Sequence, residues 1–478
     1  MKKYLLIITL ISLTIKAFGQ ERIDNKDLKK FIKILTSDSL EGRGTGTEGQ
    51  RKAEKFISDN FRKLGLNTSV EKFKLKQIYW GQVYLKTKDN TLNNFENMVL
   101  QGGNKQNDEV EKEIVFGGLG TKKELDQIDV KDKLVLVFVK NLRSYYDVNR
   151  RVEKRNAYGL IVANPQSETQ FESIKNTFKD YSLQKRVVLF KSQENDTVKT
   201  QIFKMLDTLK LLNTIVIPNS QIKNISGLSQ KSLEKLIKDG KISEAPINKV
   251  KVKYEWIETE IESSNVIGTI KGKTDKTIVV SAHYDHLGKI EKEYFPGADD
   301  NASGTSALLE LAEEFSNSKD LNYNITFIAT SGEENGLLGS SYHVNTSNFI
   351  PTNILCDLNI DMISRTDDNH SNGNYIYCIG TDQSKEIENA IRTADELYSG
   401  CSFDYSLNKT EFPSGLFGRS DNYNFYKKGI VSIQFFSGLH SDYHKQTDTF
   451  EKIDYKNLEK RIRLISTVIE VLQKEKVN

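Results

Sequence analysis

Cysteine, proline and tryptophan are scarce: the 478 residues hold three, six and two of them. Cys356, Cys378 and Cys401 stand at no zinc-finger spacing, so neither a disulfide scaffold nor a zinc finger organises this chain. One disulfide and one free thiol stay open, with the pair unassigned. Low-complexity tracts and internal repeats are missing too, which excludes a solenoid. Neither charge dominates, since 68 Lys and Arg against 65 Asp and Glu leave a formal +3. With no basic arm or stripe, nothing points to nucleic acid or an anionic membrane surface as partner. Histidine is equally rare, but its distribution is informative: all six fall between positions 283 and 444.

The N-terminus departs from this pattern. Lys2 and Lys3 precede an apolar run from Tyr4 to Ile15, and Ala17-Phe18-Gly19 offers small residues for cleavage. Residues 1–19 read as a secretory signal peptide, too short for a stable bilayer span; a buried N-terminal helix is the alternative. Cleavage would remove Lys2, Lys3 and Lys16 and bring the formal charge to about zero. No later apolar run reaches membrane length, so the mature protein is expected to be periplasmic or secreted, without a membrane span.

Residues 26–36 and 50–65 have the spacing of amphipathic helices, with Phe56, Ile57, Phe61 and Leu64 on one face. Between them Gly44, Gly46 and Gly49 fit the dinucleotide fingerprint. A helix rather than a strand precedes them and no βαβ unit follows, so this is better read as a loop at the rim of a site. Residues 20–88 are assigned to the first part of a main domain. Over 89–247 short apolar runs (IVFGG, KLVLVFVK, YGLIVAN, RVVLFK, NTIVIP) alternate with charged turns, predicting a smaller inserted α/β unit. It has no histidine and no acidic cluster at ligand spacing, so it suits a lid, a substrate selector or a packing module. Residues 248–478 return to the main domain. A half-buried strand over 249–258 precedes NVIGTIKG, TIVVSAH, a helix over 303–316, NITFIAT, TNILCDLNIDMI, a helix near 384–398, GIVSIQFF and a final helix. Such alternation predicts an α/β fold with a mostly parallel sheet covered on both faces.

The polar residues gather where those strands end. His283 and Asp285 follow TIVV, Glu333 and Glu334 follow ITFIAT, Asp361 ends ILCDLNID, and His440 and His444 follow IVSIQFF. Ligands of open α/β sheets collect beyond the carboxyl ends of the strands. Taken singly, each residue has a plainer reading: a structural histidine, a solvated acidic turn, or a cap for the helix near Ser303 in the case of Asp299 and Asp300. Asp361 is the exception, because an acid in a nearly apolar run needs a partner. Together, histidines and carboxylates on separate strands suit a divalent metal, zinc first and manganese or cobalt after it. A shared carboxylate would make a two-metal site, and one of Glu333 and Glu334 could be a ligand while the other acts as base.

HYDH, GADDNASG, SGEENGLLGS, NIDMI and YHKQTDT, in this order and spacing, resemble the co-catalytic di-zinc aminopeptidases, a group with leucyl aminopeptidases, glutamate carboxypeptidases and, more remotely, glutaminyl cyclases. The insert resembles a protease-associated (PA) domain more weakly. The resemblance implies a phosphorylase/hydrolase-like three-layer zinc peptidase fold and two zinc ions per chain. Asp300 would bridge them, His283 and Asp361 would complete one site, and Glu334 and His444 the other. Glu333 would be the general base and Asp285 would orient His283. Asp299, His286, His343, His370 and His440 would lie outside the ligand shell, and Tyr443 would serve packing. Where the family often has Ser-Asp-His, this chain has Ser420-Asp421-Asn422. The implied activity is removal of N-terminal residues from peptides; a carboxypeptidase or dipeptidase, a cyclase and an inactive binding protein are the rivals. Preferred side chain and oligomeric state are not readable.

Overall fold

The computed structural model describes residues 25–102, 106–141, 145–164, 167, 169–183, 186–189, 212–290, 292–408 and 415–474. The signal peptide expected over 1–19 lies outside them. The described residues fall into two compact units. One is made by those up to Lys76, by Val187–Leu189 and by those from Glu260 onward. The other is made by those between Gln77 and Arg186 and between Lys199 and Thr259.

The second unit holds the apolar runs expected of the insert except RVVLFK, whose Val187–Leu189 belong to the first unit, where Val187 packs with Phe73, Leu75 and Leu338. Strands Gln106–Phe116, Leu134–Phe138, Gly159–Ala163 and Thr214–Val216 pair in parallel, and Val99–Gln101 closes the edge antiparallel to Thr214–Val216. Side chains alternate along these strands. Leu134, Leu136, Phe138, Ile161 and Ala163 enter one core, and Val135, Val137, Leu160 and Val162 another. Both faces of the sheet are therefore apolar.

In the first unit the sheet runs Ser402–Asp404, Tyr375–Ile379, Val431–Phe436, Ile354–Ile360, Thr277–His283, Asn324–Thr330 and then the strand that ends at Ile270. The four central strands are parallel, with Ser281 opposite Asn359, His283 opposite Thr330 and Ile360 opposite Phe435. These pairings bring the carboxyl ends of the four to one edge. Helices Asn25–Leu35, Gly304–Ser316, Lys385–Leu397 and Tyr455–Lys474 contribute Leu28, Leu308, Ile391 and Ile465 to one core with Ile278, Val280, Leu358 and Ile433 of the sheet.

Some details differ from the sequence reading. The runs at 249–258 and 265–272 form a single strand, Asn248–Ile270, since no glycine or proline stands between Glu258 and Asn265. Asn67–Lys86 is a long strand that its charged, weakly alternating sequence does not announce. All three cysteines are free and buried, so the disulfide left open by the sequence does not form. No helix among the described residues is long and apolar enough to cross a membrane.

Candidate metal centre

Asp300 lies at the middle of the polar edge. It belongs to a helix-like turn, Ala298–Ser303, that enters the regular helix Gly304–Ser316. Asp300 (φ −105°, ψ 94°) and Asn301 (φ −127°, ψ 46°) leave helical geometry, and the peptide bond between them is cis. Asn301 holds the kink, donating from Nδ2 to Ile360 O at 2.9 Å and accepting from Gly304 N and Met362 N. Gly297 (φ 58°) starts the turn because a Cβ there would strike Asp300 O and the His286 ring.

The two oxygens of Asp300 face different partners. Oδ1 is 3.4 Å from His283 Nε2, which is itself 3.2 Å from Asp361 Oδ1. Oδ2 is 3.1 Å from His444 Nε2, which lies 3.2 Å from Glu334 Oε2. Zinc binds nitrogen and oxygen at about 2.0–2.2 Å, so donors of a tetrahedral site stand roughly 3.3 Å apart. The observed spacings suit that geometry. His283, Asp300 and Asp361 form one group that could hold a metal ion, and His286, Asp300 and Glu334 form a second. In the second group His286 Nδ1 approaches Glu334 Oε1 to 2.7 Å but stays 3.8 Å from Asp300 Oδ2. A 2.7 Å contact is a hydrogen bond rather than a gap between two ligands of one ion. His444 has the ligand-like spacing, and His286 supports Glu334 from the side.

Electrostatics give the same account. Burial raises Asp300, but hydrogen bonds to His283 and His444 outweigh it and hold the carboxyl well below its usual range. Burial and Asp300 likewise raise Glu334, whereas His444 and His286 bring it down to about 2. Burial lowers His444, yet Glu334 and Asp300 pull it up to about 10. The carboxylates thus demand positive charge, and a divalent cation would supply it in place of those protons. Mixed imidazole and carboxylate donors fit zinc.

Glu333 is the carboxylate set apart. Burial, followed by the charges of Glu334 and Asp361, pushes it well above the ordinary range. Its side chain lines a pocket with Asp300, Asp361 and His444. Asp285 reaches the other ring nitrogen of His283 through its backbone rather than its carboxylate. His283 Nδ1 meets the backbone carbonyl of Asp285 at 3.1 Å, whereas the carboxylate Oδ1 is 3.9 Å away. That carboxylate instead accepts from Thr45 Oγ1 at 2.6 Å and from Glu333 N at 3.3 Å. It therefore fixes the backbone that carries Glu333, and burial raises it to about 6.

The glycine-rich loop is indeed at this edge. Gly44 bridges to His286 in parallel, and the fully buried Arg43 donates to the carbonyls of Leu35, Tyr284, Pro296 and Gly297. His440 Nε2 lies 3.3 Å from Asp299 Oδ2, whose other oxygen accepts from Ser364 N. Asp421 accepts from Thr330 and Ser340, and Asn422 donates to Phe417 O. His343 contacts Glu71, and His370 sits between Asp367 and Asp404. Tyr443 stacks on the His444 ring at 3.8 Å between centroids.

Sequence reasoning passed over Thr45, Arg43 and Asp448. Asp448 accepts from Asp299 N at 3.0 Å and Asp300 N at 3.1 Å, so it anchors the turn that presents the shared carboxylate. Its position four residues beyond His444, inside the quoted YHKQTDT, is the one signal available. Met362 (φ 55°) and His444 (φ 56°) are left-handed non-glycine residues, a conformation that costs on the order of 1–3 kcal/mol and gathers at functional sites.

Residues 265–469 match the model of peptidase family M28. Aminopeptidase YwaD of Bacillus subtilis (strain 168) is 26% identical over 456 residues, covering 92% of this chain and 83% of the relative. The aminopeptidase of Aneurinibacillus sp. strain AM-1 is 22% identical with a TM-score of 0.55, over 94% of each chain. BSAP, a zinc aminopeptidase from Bacillus subtilis, is 22% identical with a TM-score of 0.56, over 95% of this chain and 97% of that one. These two likenesses establish a shared mixed α/β fold.

Proposed function

We propose, for a chain that through residues 265–469 belongs to peptidase family M28, that it is a zinc-dependent aminopeptidase. One observation carries the reading: the two oxygens of Asp300 face separate histidine–carboxylate sets, and Glu333 lines the same pocket with its Oε2 4.0 Å from His283 Nε2. The name of one relative over nearly the whole chain, aminopeptidase YwaD, supports the aminopeptidase reading. His283, Asp300 and Asp361 would hold one zinc ion, and Asp300, Glu334 and His444 a second, with manganese or cobalt as substitutes. Zinc there supplies Lewis acidity, which polarises a scissile carbonyl and acidifies water.

The residues of the chain do the rest. Glu333 takes a proton from the attacking water and passes it to the leaving amine, as the C–O bond forms and the C–N bond breaks. Asp285 holds the Glu333 backbone N–H, so the carboxyl keeps its place through both transfers. The Asp285 carbonyl fixes the tautomer of His283 by accepting from Nδ1, leaving Nε2 for the ion. The pocket beside them seats the side chain of the residue to be released.

One peptide tested free, N-acetylated and C-amidated, with and without a chelator, decides the reading. Chelator-sensitive trimming of the free and amidated forms, with the acetylated form intact, is expected. Cleavage stopped by the C-terminal amide would establish a carboxypeptidase instead. We further propose that residues 1–19 direct export to the periplasm or beyond, and that the insert is a PA-like module. A mature N-terminus other than Gln20, read by mass spectrometry, would refute the cleavage site. Deletion of the insert that leaves folding and peptide selectivity unchanged would refute its role as lid or selector.

A further inference from the structure

The pocket beside Glu333 is lined by a polar side chain with an atom that no described residue satisfies. Along Val431–Phe436, Ile433 and Phe435 enter the main core. Gln434 and Phe436 therefore point to the opposite face, and both line the pocket. Gln434 is only 4% exposed, and its Oε1 is buried with no hydrogen-bond partner among the described residues. The walls near it are apolar: Met362, Leu416, Phe436 and Leu439. Arg419 is at the exposed rim, where Nη2 donates to Tyr443 OH at 3.4 Å.

A buried amide without a partner is costly, since it has given up water and gained nothing. Apolar walls alone would be served better by leucine or methionine at this position. A side-chain amide offers one acceptor and two donors, so it pairs best with another amide, donating and accepting at once. A ligand with an aliphatic stem and an amide head would place its stem against Met362 and Phe436 and its head on Gln434. A carboxylate head would set its charge against Oε1 and against Glu333, which lines the same pocket.

We propose that Gln434 is a specificity-determining residue that selects peptides whose N-terminal residue carries a neutral amide side chain, glutamine first. The inference rests on the aminopeptidase reading for its substrate, and on the pocket alone for its chemistry. A site built to hydrogen-bond a polar group discriminates strongly against an analogue that lacks it, because the site is then left unpaired.

The test compares glutaminyl, methionyl, leucyl and glutamyl p-nitroanilides on the zinc-loaded protein and on Gln434→Met, a near-isosteric change that suits the apolar walls. The expected kcat/KM for glutamine exceeds that for methionine by about tenfold or more. In Gln434→Met the order should reverse, with glutamine losing mainly through KM. Equal or better turnover of methionine by the unmodified protein overturns the proposal, as does a ratio that Gln434→Met leaves unchanged. A preference for glutamyl substrate overturns it too, and assigns selection to Arg419. If no anilide is cleaved, the aminopeptidase reading fails, and calorimetry with free L-glutamine and L-methionine decides the pocket separately. Tighter glutamine binding that is lost in Gln434→Met supports the assignment; equal binding of both amino acids removes it.

Discussion

The two units build parallel strands from similar apolar runs and finish them differently. In the insert, Leu134–Phe138 and Gly159–Ala163 are buried at every position, and their side chains feed apolar clusters on both faces. In the main unit, strands buried at all but one position each end in His283, in Thr330 three residues before Glu333, and in Ile360 immediately before Asp361. The backbone solution is shared; the chemistry lies in the last residue or two. Burial of polar groups at one sheet edge, rather than any difference in secondary structure, separates the unit with a metal-ligating cluster from the unit that shows none among its described residues.

Glu333→Gln should sharpen that contrast most. It removes the proton carrier and leaves each metal-facing donor in place, so kcat should fall by about 10²–10⁴-fold. Zinc stoichiometry measured by mass spectrometry should stay the same. Retained turnover would show that Glu333 is not the base. In the insert the equivalent insult is structural: Leu136→Ala should destabilise the protein by about 2–5 kcal/mol in denaturant unfolding. Zinc content should not follow it, and a loss of metal would break the separation drawn here.

Asp448→Ala should weaken metal affinity by about 10–100-fold, because the N–H groups of Asp299 and Asp300 lose their acceptor. Chelator competition measures this, and unchanged affinity would make Asp448 a packing residue. The smallest effect is expected at Glu314, on the helix Gly304–Ser316, where burial and then Glu470 raise the carboxyl to about 7. An acid raised in the fold binds its proton more tightly there than in the unfolded chain. Stability should therefore fall as pH rises from the ordinary 4.5 towards 7 and level off above. Glu314→Gln should flatten this window, and melts at pH 5 and pH 8 that still differ as in the unmodified protein would refute it.

Much of the main unit is legible because its signals are local. Strands Thr277–His283, Asn324–Thr330, Ile354–Ile360 and Val431–Phe436 coincide with apolar runs, and the regular helix begins one residue after Ser303. The glycine-rich stretch after Leu40 could be placed at a rim because the strand that a nucleotide fold needs is not there. Other features depend on pairing across the fold. The long strand Asn67–Lys86 carries four charges between Glu71 and Lys76 and none from there to Leu85, and it finds its order in its partners. The contact of Asp285 with Glu333, and of Asp448 with Asp299, joins segments that no periodicity connects. His286 illustrates the limit: its neighbour His283 marks the region, but only distances show that it supports Glu334.

The anchoring of the centre has a consequence for when it can exist. Thr45 meets Asp285 across 240 residues, and Asp448 meets Asp299 across 149. Closing such loops is entropically slow, and contacts of this separation form late in folding. A nascent chain still lacking Asp448 holds His283, Asp300 and Glu333 but has no acceptor for the turn between them. The centre is thus timed by chain completion: a polypeptide that is still being synthesised carries the parts without the assembled site.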